Sequence, residues 1–502
     1  MFSYSEFKHD YELSHFRYIE PISDDYRVFL NGDEIPVYTC RISKFPFNRI
    51  WPGFQRPFDQ SEQASYVNIV SDEEITLEVI VNRKNEKILI KPYSKNIEFS
   101  DGGGKVRFSL RENGQFVLQA DSYHHCLYIF NSKPIAAPEK DEVTHFFGPG
   151  IHFPGKITLK TGDKVYIDKD ALVFGRIFAE HADDVHIFGN GVLDSGNEER
   201  VCIHCYEAFT NGNLKFYDCK NLRIEGIAMK NSAIWCVNLF GCESVTIDNI
   251  KVFGQWRYNT DGIDIVNSRN VRIANSFVHS FDDTVTVKGI DRYIERNCED
   301  ITVEDSVLWC DWGRALEIGL ETACREYKNI TFKNCDILRS GGIALDIQNG
   351  DCAQVHDITF TNINVEFNAF DTPPVYQETD EMRYEKENET DVPMLINISN
   401  PPFRNKDNES DWGIPYSDYE EIGKKGAHGT AHDITFTNIN VYYDDALPKE
   451  NGKPIIKMCF YSFFPEIIYS DVSIENITVN GERLKKEDVK FEQLAVKDFS
   501  FK

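Results

Sequence analysis

Short runs of alternating apolar and polar residues, separated by Gly, Asn and Asp, run along most of this chain. Before about residue 140 they read as one all-β unit. VFLNGDEIPVYTC, EITLEVIV, KILIKPY, KVRFSLRENGQFVLQA and CLYIFN have the period-2 pattern of half-buried strands. Asn31-Gly32, Asp101-Gly102 and Asn113-Gly114 supply turns between strands. This spacing predicts a β-sandwich over residues 1–143, ending at the Pro134–Pro138 segment and the charged residues after it. The unit is expected to cover one end of the next domain or to form a wall of its cleft.

From about Phe146 the pattern changes to shorter strands with small turns, and then it repeats. An Asn, Asp or Ser followed by a branched apolar residue, any residue and a second apolar residue recurs at Asp184, Asn221, Ser244, Asn270, Asp300, Asn329, Asp357, Asp433 and Asp471. Between residues 221 and 357 the interval is 23 to 30 residues. A repeat of this length, built from strands rather than helices, predicts a parallel β-helix over residues 144–502. Cys219, Cys242, Cys310 and Cys335 fall at similar phases and read as interior stacking residues. The repeat breaks at about 367–432, a polar, acidic stretch read as an insertion, with an ordered lid favoured over a disordered excursion. Its apolar Pro393–Ile398 and its Phe403, Trp412 and Tyr416 are candidate parts of that lid.

Composition narrows the function classes. The formal net charge of −27 opposes nucleic-acid and anionic-membrane partners. No apolar run reaches the roughly 20 residues that span a bilayer. The 13 cysteines are scattered without a framework, and no secretory signal is visible, so a cytoplasmic protein with reduced thiols is expected. Cys202, His204 and Cys205 lack the second pair a zinc site needs, and no metal or cofactor is expected. Self-association is left open.

The chemistry concentrates between Trp256 and Lys288. An Asn259-Thr260-Asp261-Gly262 turn precedes the carboxylate pair Asp282-Asp283 by one coil, so the three carboxyls are expected on one face. Adjacent strand residues point to opposite sides, so Asp282 and Asp283 share a cleft only where the chain turns. Crowded carboxyls raise at least one pKa, which makes an acid and a base from one residue type. Glycoside hydrolysis uses such a pair.

These residues, with Ile263-Asp264, Lys288 and the preceding Asn231–Ile250 stretch, resemble the polygalacturonase family and its dextranase and isopullulanase relatives (glycoside hydrolase families 28 and 49). The resemblance runs over about 146–364, and the predicted sandwich before it is similar to the dextranase type. It implies a right-handed β-helix, an inverting mechanism and an α-linkage. It also implies Asp282 as general acid, Asp261 and Asp283 as water activators, and Asn259 and Lys288 as orienting residues. Asp264 is expected to brace the turn.

Two departures bear on substrate. Where polygalacturonases carry Gly-His-Gly, this chain has Gly313-Arg314-Ala315, followed by Leu316-Glu317. Where they carry Arg-Ile-Lys, it has Gly342–Ile347 with neither base. A uronate clamp is therefore missing, and a neutral oligosaccharide or glycan is expected. Arg314, Glu317, Trp256, Tyr258 and Trp312 are the further candidate substrate contacts, with Trp309 another aromatic candidate. The alternatives are a pectic hydrolase using Arg314, a Ca²⁺-dependent polysaccharide lyase, and a non-catalytic glycan-binding β-helix.

Overall fold

The computed structural model describes residues 2–6, 22–44, 60–199, 212–290, 294, 296–351, 353–368, 375–376, 385–386, 392–400, 429–462 and 469–502. Cys202, His204 and Cys205 lie outside them, as do Phe403, Trp412 and Tyr416.

The N-terminal unit contains a six-stranded and a five-stranded sheet. Ile75–Val81 and Lys105–Leu110 alternate between buried and more exposed positions, as one-face burial requires. Their inward residues Leu77 and Val106 join Val67, Leu118 and Ile129 of the other sheet in one apolar cluster. The arrangement is a two-sheet sandwich.

Residues from His145–Phe147 to Val496–Phe501 form a single 30-stranded sheet wound into a solenoid. Pairing is parallel from coil to coil. One column runs Leu222, Val245, Val271, Ile301, Ile330, Ile358, Ile434 and Val472, each over the last. None of these is more than 2% exposed. Burial of each such side chain contributes about 1.5–3 kcal/mol. Cys219, Cys242, Cys310 and Cys335 lie in the same interior.

The residue before each member of that column has a left-handed backbone, with φ between 52° and 59° from Asn221 to Asp471. Asn and Asp tolerate this conformation because their short polar side chains bond locally. Here the side chains also bond between coils. Asn221 donates to Asp184 at 3.0 Å, and Asn329 to Asp300 at 3.0 Å. At the next bend Asn362 donates to Asn334, Asn438 to Asn362, and Asn476 to Asn438, at 2.7–3.1 Å. The repeat in the sequence is therefore the repeat of a backbone bend.

One reading is corrected. Met394–Asn400, assigned to the insertion, is a solenoid strand paired in parallel with Ile343–Gln348 and Ile456–Ser462. Phe367 likewise ends the coil strand Gln354–Phe367. Apolar alternation there served the interior, not a lid.

The sandwich packs on the solenoid through Tyr66, Tyr128 and Phe130 against Phe253, Phe277 and Trp309. Buried polar links cross the contact. Tyr128 Oη and His279 Nδ1 are 2.7 Å apart, and His279 Nε2 is 3.1 Å from Asp311 Oδ1. Lys91 Nζ lies 2.9 Å from Glu366 Oε2.

Candidate active site

Asp261 lies in the loop between Lys251–Phe253 and Ile263–Val266, and the Asp282-Asp283 pair lies between Phe277–Ser280 and Val285–Gly289. The pairing of Ile263 with Val285 makes Asp283 the coil equivalent of Asp261. Asn259 takes φ 60° in the first turn. Gly262 is required there, because a Cβ would lie 2.4 Å from the carbonyl oxygen of Thr284. Its N–H instead donates to the Asp283 carbonyl at 2.8 Å. The second turn is held from below. Ser280 Oγ donates to the Asp282 carbonyl at 2.6 Å, and the Asp282 and Phe281 N–H groups donate to the Thr260 carbonyl. Because the strand has ended at Ser280, the two adjacent carboxyls both reach one site.

Lys288 gathers the carboxyls. Its Nζ lies 2.9 Å from Asp261 Oδ2, 3.1 Å from Asp264 Oδ1 and 3.6 Å from Asp283 Oδ2. The ammonium also sits 3.9 Å from the Trp235 ring centroid. Asn259 Nδ2 donates to Asp261 Oδ1 at a long 3.4 Å. On the next coil, Arg314 Nη1 lies 3.5 Å from Asp283 Oδ1, and the Arg314 backbone N–H donates to that oxygen at 3.1 Å. Arg314 Nε faces Glu317 at 3.7 Å and Asp346 at 3.6 Å. Gly313 makes room for the pair. A Cβ at this position would lie 2.5 Å from Asp283 Oδ1 and 2.6 Å from Asp282 Oδ1.

Burial and charge separate the carboxyls. Burial, reinforced by the Asp283 charge, pushes Asp282 up to about 7. Burial also raises Asp264 to about 7, against the pull of Lys288. Asp261 is raised well above the ordinary range by burial, with Lys288 opposing and Asp264, Asp282 and Asp283 adding to it. For Asp283 burial acts upward too, but the Arg314 and Lys288 charges and the Arg314 backbone N–H outweigh it and hold this carboxyl below its usual range. Lys288 stays charged despite burial, because Asp261, Asp264, Glu321 and Asp283 surround it. The arrangement therefore holds one carboxyl anionic next to another that keeps its proton.

The aromatic candidates divide. Trp256 is 2% exposed and its indole N–H donates to Asn231 Oδ1 at 3.2 Å, so it packs inside the wall and presents no ring face. Trp309 is equally buried, bonded to Asp311. Tyr258 and Trp312 are half-buried and flank Phe281, with centroids 6.4 and 6.1 Å away. Glu317 is wholly buried behind Arg314.

Several contributors escaped the sequence reading. Trp235 supports Lys288, and Asn397 and Gln348 each donate to Asp346 at 2.7 Å. Asn397 sits in register with Asp346, but 51 residues separate them and hide the relation. A separate polar groove of about 900 Å³ lies where Arg111, Gln115 and Lys133 face Asp248, Asn275 and Asn334, away from the carboxyls above. Among the described residues, no group of three or more His, Cys, Asp or Glu side chains is arranged to hold a metal ion.

Residues 144–447 match the family model described as glycosyl hydrolases family 28. The exopolygalacturonase clone GBGE184 of Arabidopsis thaliana is 32% identical over 160 residues, covering 30% of this chain and 35% of that protein. An exopolygalacturonase of Oenothera organensis is 28% identical over 212 residues, covering 38% and 54%. The chain thus spans about a third to a half of the length of such curated relatives. Dex49A from Penicillium minioluteum superposes with a TM-score of 0.67 at 12% identity, covering 99% of this chain and 98% of its own. The family 28 exopolygalacturonase of Yersinia enterocolitica superposes at 0.50 with 13% identity, covering 86% and 96%. These likenesses show the fold, a right-handed parallel β-helix behind an N-terminal sandwich.

Proposed function

The chain belongs to glycosyl hydrolases family 28, within the polygalacturonase and dextranase superfamily, and from that premise we propose an inverting hydrolase of a neutral oligosaccharide or glycan. That it is a glycoside hydrolase follows from the family; the inversion, the substrate and the residue roles are the proposal. The observation that carries the roles is the unequal setting of the pair: Asp283 accepts the Arg314 N–H and lies between the Arg314 and Lys288 cations, while Asp282 is buried beside the Asp283 charge. Asp282, protonated, gives its proton to the leaving glycosidic oxygen. Asp283, anionic, takes a proton from the water that attacks the anomeric carbon on the opposite face. Asp261, held by Lys288 and Asn259, orients that water. Resemblance alone supplies the α-linkage.

Charge supports a neutral substrate. Among the described residues, Lys288 is paired with Asp261, Asp264 and Asp283, and Arg314 already faces Asp283, Glu317 and Asp346. Neither cation is left to hold a uronate carboxylate. A second reading, hydrolysis of a uronate-containing glycan, is favoured by the polygalacturonase names of the curated relatives.

The test is a panel of defined neutral and uronate oligosaccharides, with NMR reading the anomer first released. Neutral substrates with inverted product are expected; turnover confined to uronates selects the second reading. Asp282→Asn is expected to lose about 10²–10⁴-fold in turnover with the fold intact. Full activity in that variant would remove Asp282 from the mechanism.

A further inference from the structure

Three carboxyls face the Arg314 guanidinium, and their surroundings differ. Asp346 accepts amide N–H bonds on both oxygens, from Asn397 and Gln348. Asp283 accepts the Arg314 backbone N–H and lies 3.6 Å from Lys288. Glu317 is 0% exposed, and neither of its oxygens accepts a bond from an N–H or O–H donor among the described residues. Arg314 Nε, at 3.7 Å, is beyond hydrogen-bond distance.

A carboxylate stripped of water and given no donors is costly, and such a group neutralises instead. One guanidinium does not balance three anions. Asp283 and Glu317 lie against the same guanidinium, at 3.5 and 3.7 Å, and two carboxyls gathered on one cation bond to each other only with a proton between them. We propose that Glu317 is a positioning residue that keeps its proton and donates it in a hydrogen bond to Asp283, fixing Asp283 as the anionic base.

This rests on the hydrolase reading above. Burial first, then the Asp283 charge, holds Glu317 well above the ordinary carboxyl range, in keeping with the geometry. The groups that bear on the pair come from four coils. Asp261, Asp264 and Lys288 lie toward one side; Asp282, Arg314 and the Cys310 thiol lie beside it; and Asp346 lies beyond. Thr286, directly under Glu317, donates its hydroxyl to the Gly319 carbonyl and so is not available to Glu317.

Two variants separate a proton donor from a space filler. Glu317→Gln keeps an N–H to donate, and Glu317→Leu keeps bulk without one. The measurement is the acidic limb of kcat/KM against pH. In Glu317→Leu the limb is expected to move up by about one pH unit, as Asp283 loses a donor to its charged form. In Glu317→Gln it stays at the wild-type position while turnover falls a few-fold, the amide being the weaker donor. An unmoved limb in a folded Glu317→Leu overturns the proposal, as does a limb displaced in Glu317→Gln as far as in Glu317→Leu.

An infrared difference spectrum at neutral pH, which needs no turnover, is the second readout. The protonated-carboxyl band is expected to lose intensity in Glu317→Gln relative to wild type. An unchanged band overturns the proposal. Full activity in Asp282→Asn would instead count against the hydrolase roles, so the two failures are told apart.

Discussion

Gly313→Ala perturbs the site by a single methyl group. The φ of Gly313 lies outside the left-handed region, so the backbone suits alanine and only space is at issue. The new Cβ would stand 2.5 Å from Asp283 Oδ1, 2.6 Å from Asp282 Oδ1 and 2.7 Å from the Asp283 N–H nitrogen. Ordinary contact needs roughly 3.5 Å, so the turn or the Arg314 strand must yield by about 1 Å. The carboxyls cannot simply rotate away: Asp283 is held by the Arg314 N–H, and its own N–H donates to Asp282 Oδ1 at 3.1 Å. A misplacement of this size costs about 10²-fold in turnover, or about 2.7 kcal/mol of transition-state stabilisation. The overpacking itself costs about 1–3 kcal/mol of stability. The assay is kcat on the best substrate of the panel, with thermal melting as the control for folding. A Gly313→Ala enzyme within threefold of wild type would refute the claim that this glycine sets the position of both carboxyls.

On the proposed roles Asp282 acts protonated, so turnover is expected to fall as pH rises through about 7, while the acidic limb assigned to Asp283 lies below the ordinary carboxyl range; a pH profile of kcat/KM checks both. The folded protein also keeps protons on Asp282 and Asp264 that the unfolded chain releases near pH 4, so stability to urea is expected to decline from about pH 4 to about 7. Lys288→Met leaves Asp261, Asp264 and Asp283 without their ammonium, and about 3–5 kcal/mol of stability should go with the activity, read by urea unfolding. Glu366→Ala leaves the buried Lys91 ammonium between sandwich and solenoid with Asn368 but without its carboxylate, with a loss of similar size in the same assay and little change in kcat, because Glu366 lies on the strand Gln354–Phe367 and not on the coils that hold Asp261, Asp282 and Asp283.

The solenoid was legible because its bend residues are few in kind. Asn, Asp and Ser from 221 to 471 announce a left-handed backbone, and the residue after each announces the interior. The carboxyl cluster was legible because coil spacing sets residues 21 and 22 apart on neighbouring coils at the same place, and Asp283 proved to be the coil equivalent of Asp261. Aromatic residues were less informative. Trp256 and Trp312 look alike in sequence, yet one is walled in and the other half-exposed, since a ring fits a packed interior as well as a sugar. Partners such as Asn397 were hidden because the loops between coils vary freely in length, and Gly313 looked like any turn glycine until its neighbours were seen.

That freedom has a consequence for how such a protein changes. Asn362 sits 28 residues from Asn334 but 76 from Asn438, and the amide bonds on the two sides measure 3.1 and 2.9 Å. The rungs take no notice of how much chain runs between them. New sequence can be spliced in at one edge of a coil without shifting the registration of the coils that hold Asp261, Asp282 and Asp283. The scaffold thus uncouples two kinds of variation. The walls around the site can diverge quickly, while the carboxyls keep their spacing, because the frame that sets it is renewed at every turn.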